Sequence, residues 1–139
     1  MGYKASKLNP DMNMDYEKLT SVWSNRHVAY VAGLGTFGLN NMLITKDGCC
    51  GRLGNIVTDM KIEATKRPDK EYCLFKYNGS CAFCADKCVN DALFRDKFDR
   101  VKCFEMCLEN DKIHSDLGGE AQVCGKCLTV VPCSFNNPV

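Results

Sequence analysis

Cysteine spacing constrains this chain more than any other feature. Eleven cysteines fall within 139 residues, and nine of them follow Glu63, in the order Cys73, Cys81-x-x-Cys84-x-x-x-Cys88, Cys103, Cys107, Cys124-x-x-Cys127 and Cys133. A short chain this rich in cysteine is a disulfide or a metal scaffold. The compartment decides between the two. Residues 1–10 hold no apolar stretch resembling a signal-peptide core, and no apolar run approaches the roughly 20 residues of a transmembrane helix. The sequence therefore predicts a cytoplasmic chain with no membrane partner, where thiols stay reduced unless a metal takes them. Leu, Ile, Val and Phe make only 32 of the 139 residues, so ligation is expected to help hold a thin core. The 18 basic and 17 acidic residues leave a net charge of +1, which offers nucleic acid no electrostatic footing.

A Cys-x-x-Cys turn lets two thiolates converge on one metal, and two such turns can build a zinc site. The ladder here is longer. Leaving Cys107 aside, it supplies eight regularly placed thiols, the number that two [4Fe–4S] clusters need at four each. In two-cluster ferredoxins the cysteine that closes each run ligates the other cluster. Applied here, that rule assigns Cys73, Cys81, Cys84 and Cys133 to one cluster, and Cys88, Cys103, Cys124 and Cys127 to the other. The runs depart from the ferredoxin pattern. Position 78 is Asn, so Cys73 must substitute for a first ligand, and Cys88 is followed by Val89 and Asn90 rather than proline. In the second run five residues separate Cys127 from Cys133, and Pro132 precedes the last cysteine. The alternative is a structural zinc-binding interaction module, with a disulfide scaffold behind it. Cys49 and Cys50 read as ordinary small side chains. Cys107 is left over by the eight-ligand assignment; it lies four residues after Cys103, on the same face if that segment is helical, where a substitute ligand is the lesser alternative to an ordinary side chain.

Along the chain, residues 1–12 read as an arm with no apolar period. Tyr16, Leu19, Val22, Trp23, Val28 and Tyr30 recur at helical spacing and predict a helix over about 15–31, ended by Gly33. Residues 42–45 and 52–62 read as two strands joined by a hairpin at Lys46-Asp47-Gly48. Lys66 to Lys70 is a charged linker, which divides the chain into a helix-and-hairpin segment, 1–70, and a cysteine module, 71–139. Within the module, helices are expected over roughly 84–94, 100–110 and 124–130, with a loop over 110–122. Gly33-Leu-Gly-Thr-Phe-Gly38 matches G-x-G-x-x-G, but Asp47-Gly48 follows too soon for the helix and parallel strand of a dinucleotide fold. It reads instead as a tight turn that brings backbone close to another surface or a ligand. His27 and His114 have no Ser or Cys partner in a nucleophile motif, and no carboxylate pair stands out.

The stretch His27 to Asn40, then Leu43-Ile-Thr45, then Arg52 to Asp59, followed by two crossed cysteine runs, resembles the C-terminal half of the epoxyqueuosine reductase and reductive dehalogenase superfamily. Closer still is an uncharacterised branch in which Trp23-Ser-x-Arg26-His27 precedes the glycine motif and Val131-Pro132-Cys133 ends the module. The resemblance implies an α+β fold: an N-terminal helix and β-hairpin remnant of a nitroreductase-like domain, plus a bis-[4Fe–4S] ferredoxin-like module. It implies electron transfer from a low-potential donor to a corrinoid (cobalamin), held by a corrinoid-binding domain or a redox partner protein, or in a homo-oligomer. Gly33, Gly35, Gly38 and His27 are then the candidate cofactor contacts. Leu19 stands where the family's catalytic Asp is expected, so this chain offers no complete active site and acts as an oxidoreductase component.

Overall fold

The computed structural model describes residues 2–7 and 14–139. In chain order the elements are β1 (Ala5–Lys7), β2 (Met14–Asp15), β3 (Thr20–Ser21), α1 (Asn25–Val31), β4 (Gly35–Phe37), β5 (Leu43–Thr45), β6 (Ile56–Thr58), α2 (Leu74–Asn78), α3 (Phe83–Asp86), α4 (Arg100–Ile113) and a 3-10 turn at Ser115–Leu117. The strands pair antiparallel as three two-stranded sheets, β1 with β6, β2 with β3 and β4 with β5. The fold is thus a small mixed helix and strand chain. Among the described residues no helix is long and apolar enough to cross a membrane.

The expected helix over 15–31 begins only at Asn25. Upstream, the Asp15 carboxylate accepts from the backbone N–H groups of Glu17 (3.1 Å) and Lys18 (2.9 Å). That side-chain turn competes with helix formation, Leu19 takes a φ of 50°, and β2 and β3 close around it. The expected arm is likewise a strand where it is described, since Ala5, Ser6 and Lys7 pair with Thr58, Val57 and Ile56. The rest of that segment, Met1 and residues 8–12, lies outside the described residues.

The hairpin also differs from expectation. Its turn does form, with Thr45 and Gly48 exchanging backbone hydrogen bonds and Gly48 at a φ of 89°. The chain beyond it does not return along β5. Instead, the Cys49 N–H donates to the carbonyls of Cys133 (2.9 Å) and Ser134 (3.1 Å), and the Cys50 N–H to that of Ser134 (2.9 Å). Strand β5 therefore pairs with the glycine motif, Gly35 opposite Thr45, Thr36 opposite Ile44 and Phe37 opposite Leu43. Only glycine fits at position 35, because a Cβ there would lie 1.9 Å from the Ile44 carbonyl oxygen.

In the cysteine module, α4 begins where expected and runs to Ile113, capped by the Asp99 carboxylate, which accepts from the Lys102 N–H at 3.0 Å. The expected helices over 84–94 and 124–130 shrink to the four residues of α3 and to turns, respectively. Asp91 (φ 47°) and Val130 (φ 52°) occupy left-handed conformations that no helix passes through. The short helix α2 has no counterpart in the expected pattern.

The core lies between the two segments and is built largely around sulfur. Of the ten buried apolar residues described, three are cysteines: Cys49, Cys73 and Cys84. One cluster joins Ile44, which is fully buried, to Cys49 and Cys73; the other joins Cys84, Leu93 and Val131. Leu39 and Cys133 pack against both. Hydrogen bonds tie the segments together as well, from the Tyr72 N–H to Thr36 Oγ1 (2.8 Å) and from Asn40 Nδ2 to the Cys127 carbonyl (2.8 Å).

Candidate metal centre

Cys73, Cys81, Cys84 and Cys133 line a single small cavity of about 20 Å³, walled otherwise by Gly38, Leu39, Asn40, Leu74, Phe75, Val131, Pro132 and Pro138. Three separate pieces of local structure bring the sulfurs there. Cys73 caps α2, and the left-handed Gly79 turns the chain back after it. Cys84 sits inside α3, with Cys81 just ahead of it. Cys133 rides on the loop that the 48–50 segment grips through its backbone. The lining is almost wholly apolar, and that shows in the thiols. Burial, reinforced by the charges of Cys73 and then Cys81, pushes Cys84 up to about 11.

Cys88, Cys103, Cys107, Cys124 and Cys127 form a second group. Burial, then the charges of Cys103, Cys84, Cys124 and Cys88, push the Cys127 thiol up to about 12. Cys103 is raised by burial and then by Cys107, Cys124 and Cys88; Cys107 is raised by burial and then by Cys124. Cys88, Cys103, Cys124 and Cys127 therefore sit within electrostatic reach of one another, with Cys107 beside them. So many mutually repelling sulfurs under apolar cover favour the thiol form unless cations take the protons' place. Among the described residues, no three Cys, His, Asp or Glu side chains converge as tightly as one metal ion needs. At the first site the four cysteines line one small cavity instead.

Two residues stand out here that sequence reasoning passed over. Asn40 is buried; its amide donates to the Cys127 carbonyl while its Oδ1 accepts from the Met42 N–H (3.1 Å), so one side chain both lines the first cavity and braces the second cysteine group. Cys49, read as an ordinary small side chain, lies buried with its Sγ 3.9 Å from Cys133 Sγ. The hydrogen bond between the two thiols draws Cys49 down to about 7, against the desolvation that would raise it, and raises Cys133. Cys50 turns its thiol to the Leu128 carbonyl at 3.0 Å. No spacing rule links position 49 to position 133.

The glycine motif divides. Gly38 lines the cysteine cavity, Gly33 lines a wide open groove of about 660 Å³, and Gly35 is packed beneath Ile44. The groove also takes in Lys46, Cys49, Arg52, Lys66 and Tyr72. His27 lies apart from both spaces, its Nδ1 2.8 Å from Ser24 Oγ and its ring 5.0 Å from that of Phe37.

No protein-family model matches the chain. It is similar to curated epoxyqueuosine reductases: 31% identical over 122 residues to that of Cyclobacterium marinum, covering 81% of this chain and 38% of the relative. The enzyme of Bacillus cereus is 28% identical over 137 residues, covering 94% and 34%. That of Staphylococcus aureus is 29% identical over 130 residues, covering 88% and 33%. A solved epoxyqueuosine reductase from Streptococcus thermophilus superposes on 99% of this chain and 35% of its own length, with a TM-score of 0.60 at 22% identity. The chain thus spans little more than a third of the relatives it matches.

Proposed function

This chain is related to the epoxyqueuosine reductases, and from that premise we propose that it is an iron–sulfur electron-transfer module that binds two [4Fe–4S] clusters. The observation that carries the reading is the single apolar cavity lined by Cys73, Cys81, Cys84 and Cys133. These four hold the first cluster. Cys88, Cys103, Cys124 and Cys127 hold the second, which fits the mutual charge effects that group them. A bound [4Fe–4S] cluster supplies a one-electron couple, and its iron cations relieve the repulsion among the buried thiolates. Leu39, Phe75 and Val131 keep water from the first site, and Asn40 holds the two sites in fixed relation.

In this reading residues 1–70 are the remnant of a nitroreductase-like domain and 71–139 the ferredoxin-like module. A low-potential donor reduces the module, and the acceptor is a corrinoid carried by a partner or a further domain. The open groove is the face for that acceptor, where Lys46 and Arg52 present positive charge to an anionic substituent. The test is a potentiometric titration of anaerobically prepared protein, followed by absorbance and electron paramagnetic resonance, and then mixing of the reduced chain with cob(II)alamin. Two one-electron steps per chain and formation of cob(I)alamin support the reading. A colourless protein without redox steps sinks it, and two steps without cobalamin reduction remove the corrinoid acceptor alone.

A further inference from the structure

We propose that Cys49 is a positioning residue that hydrogen-bonds the Cys133 sulfur from behind and raises the reduction potential of the first cluster, an inference that rests on the two-cluster reading above. The residue is 3% exposed and its Sγ lies 3.9 Å from Cys133 Sγ, within reach of an S–H···S hydrogen bond. Cys133 lines the cysteine cavity, whereas Cys49 lines the groove on the other side of it. The Cys49 sulfur is thus placed to back a ligand and not to replace one. The backbone fixes this arrangement, because the Cys49 N–H is held by the carbonyls of Cys133 and Ser134, and the Cys50 N–H by that of Ser134. Gly48 makes the approach possible: a Cβ on it would lie 2.4 Å from the Ser134 carbonyl oxygen.

The direction of the effect follows from charge. A ligating Cys133 is a thiolate with no proton to give, so the Cys49 S–H must be the donor. A donor aimed at a ligand sulfur stabilises the reduced cluster, which carries one more negative charge, more than the oxidised one. The burial of Cys49 keeps water from taking its place behind the partly buried Cys133 sulfur. Among the cysteines left over by the eight-ligand assignment, Cys49 has this relation to a first-site ligand; Cys50 spends its thiol on a backbone carbonyl and Cys107 lies with the second group.

The experiment is a potentiometric titration of the iron-loaded full chain as wild type, Cys49→Ala and Cys49→Ser, with iron and sulfide measured on each. Cys49→Ala is expected to keep the wild-type iron and sulfide and to move one of the two midpoints to a more negative potential while the other stays put. Cys49→Ser, which retains a donor, is expected to restore much of the shift. Unmoved midpoints in an iron-replete Cys49→Ala overturn the inference. So does loss of half the iron from that variant, which would make Cys49 a ligand. A wild-type chain without iron overturns the two-cluster reading as well, a result distinct from either of these.

Discussion

Replacing Gly48 with alanine should dismantle the first cysteine site without touching a cysteine. The new Cβ would lie 2.4 Å from the Ser134 carbonyl oxygen and 2.6 Å from the Phe135 nitrogen, where real contacts do not fall below 3.0 Å. Both neighbours are backbone, so the 48–50 segment and the 133–135 loop have to part. A side chain at the left-handed φ of 89° costs about 1–2 kcal/mol by itself. Parting also weakens the bonds from two N–H donors, Cys49 and Cys50, at about 0.5–1.5 kcal/mol each. The total is roughly 2–5 kcal/mol, a large share of the ~5–15 kcal/mol that holds a domain of this kind together. The melting temperature should fall on the order of 10 °C. Because Cys133 rides on the displaced loop, iron should fall from about eight to about four per chain. Iron and sulfide assays with thermal unfolding of the anaerobic protein measure both effects, and Gly51→Ala is the control, since nothing lies within 4 Å of a Cβ at that position. A Gly48→Ala chain with full iron and an unchanged melting temperature would refute the claim that this contact places Cys133.

Other predictions follow from the same geometry. Cys81→Ser and Cys124→Ser should each remove about half the iron, from different clusters with different spectra, whereas Cys107→Ser should keep all of it; metal analysis of the three variants decides. Asn40→Ala leaves the Cys127 carbonyl and the Met42 N–H without their partner and should cost about 2–4 kcal/mol, read as a lower urea midpoint. In the metal-free chain, burial raises Cys84 to about 11 and Cys127 to about 12 from an ordinary 9.0. The folded state therefore holds its protons after the unfolded state has begun to lose them, and stability present below about pH 9 should drain away as pH rises through about 11–12. Urea midpoints at about pH 8 and 10.5 should fall in that order. Metal loading runs the other way, weakening as pH falls, because each ligand must shed its proton.

The sequence shows some of this plainly and hides the rest for physical reasons. Helix α4 is legible because its cap and its length are local: Asp99 closes the first turn and no left-handed residue interrupts it. The two groups of cysteines rest on spacing, which is also local. The strand pairing is not. Strand β1 joins β6 some fifty residues away, and nothing in Ala5-Ser-Lys7 announces a partner. The apolar period over 15–24 suggests a helix, but the Asp15 turn wins because its hydrogen bonds form within three residues. The relations that most shape the first site, Asn40 with Cys127 and Cys49 with Cys133, span 87 and 84 positions. Pairings at that range come from packing alone, and no periodicity carries them.

The most direct test of the central claim is the iron, acid-labile sulfide and zinc content of the whole chain prepared without oxygen. The two-cluster account predicts about eight iron and eight sulfide per chain with no zinc, in a brown protein that bleaches on reduction. One or two zinc ions per chain without sulfide would contradict it, and the cysteines would then belong to a structural metal site with no part in electron transfer.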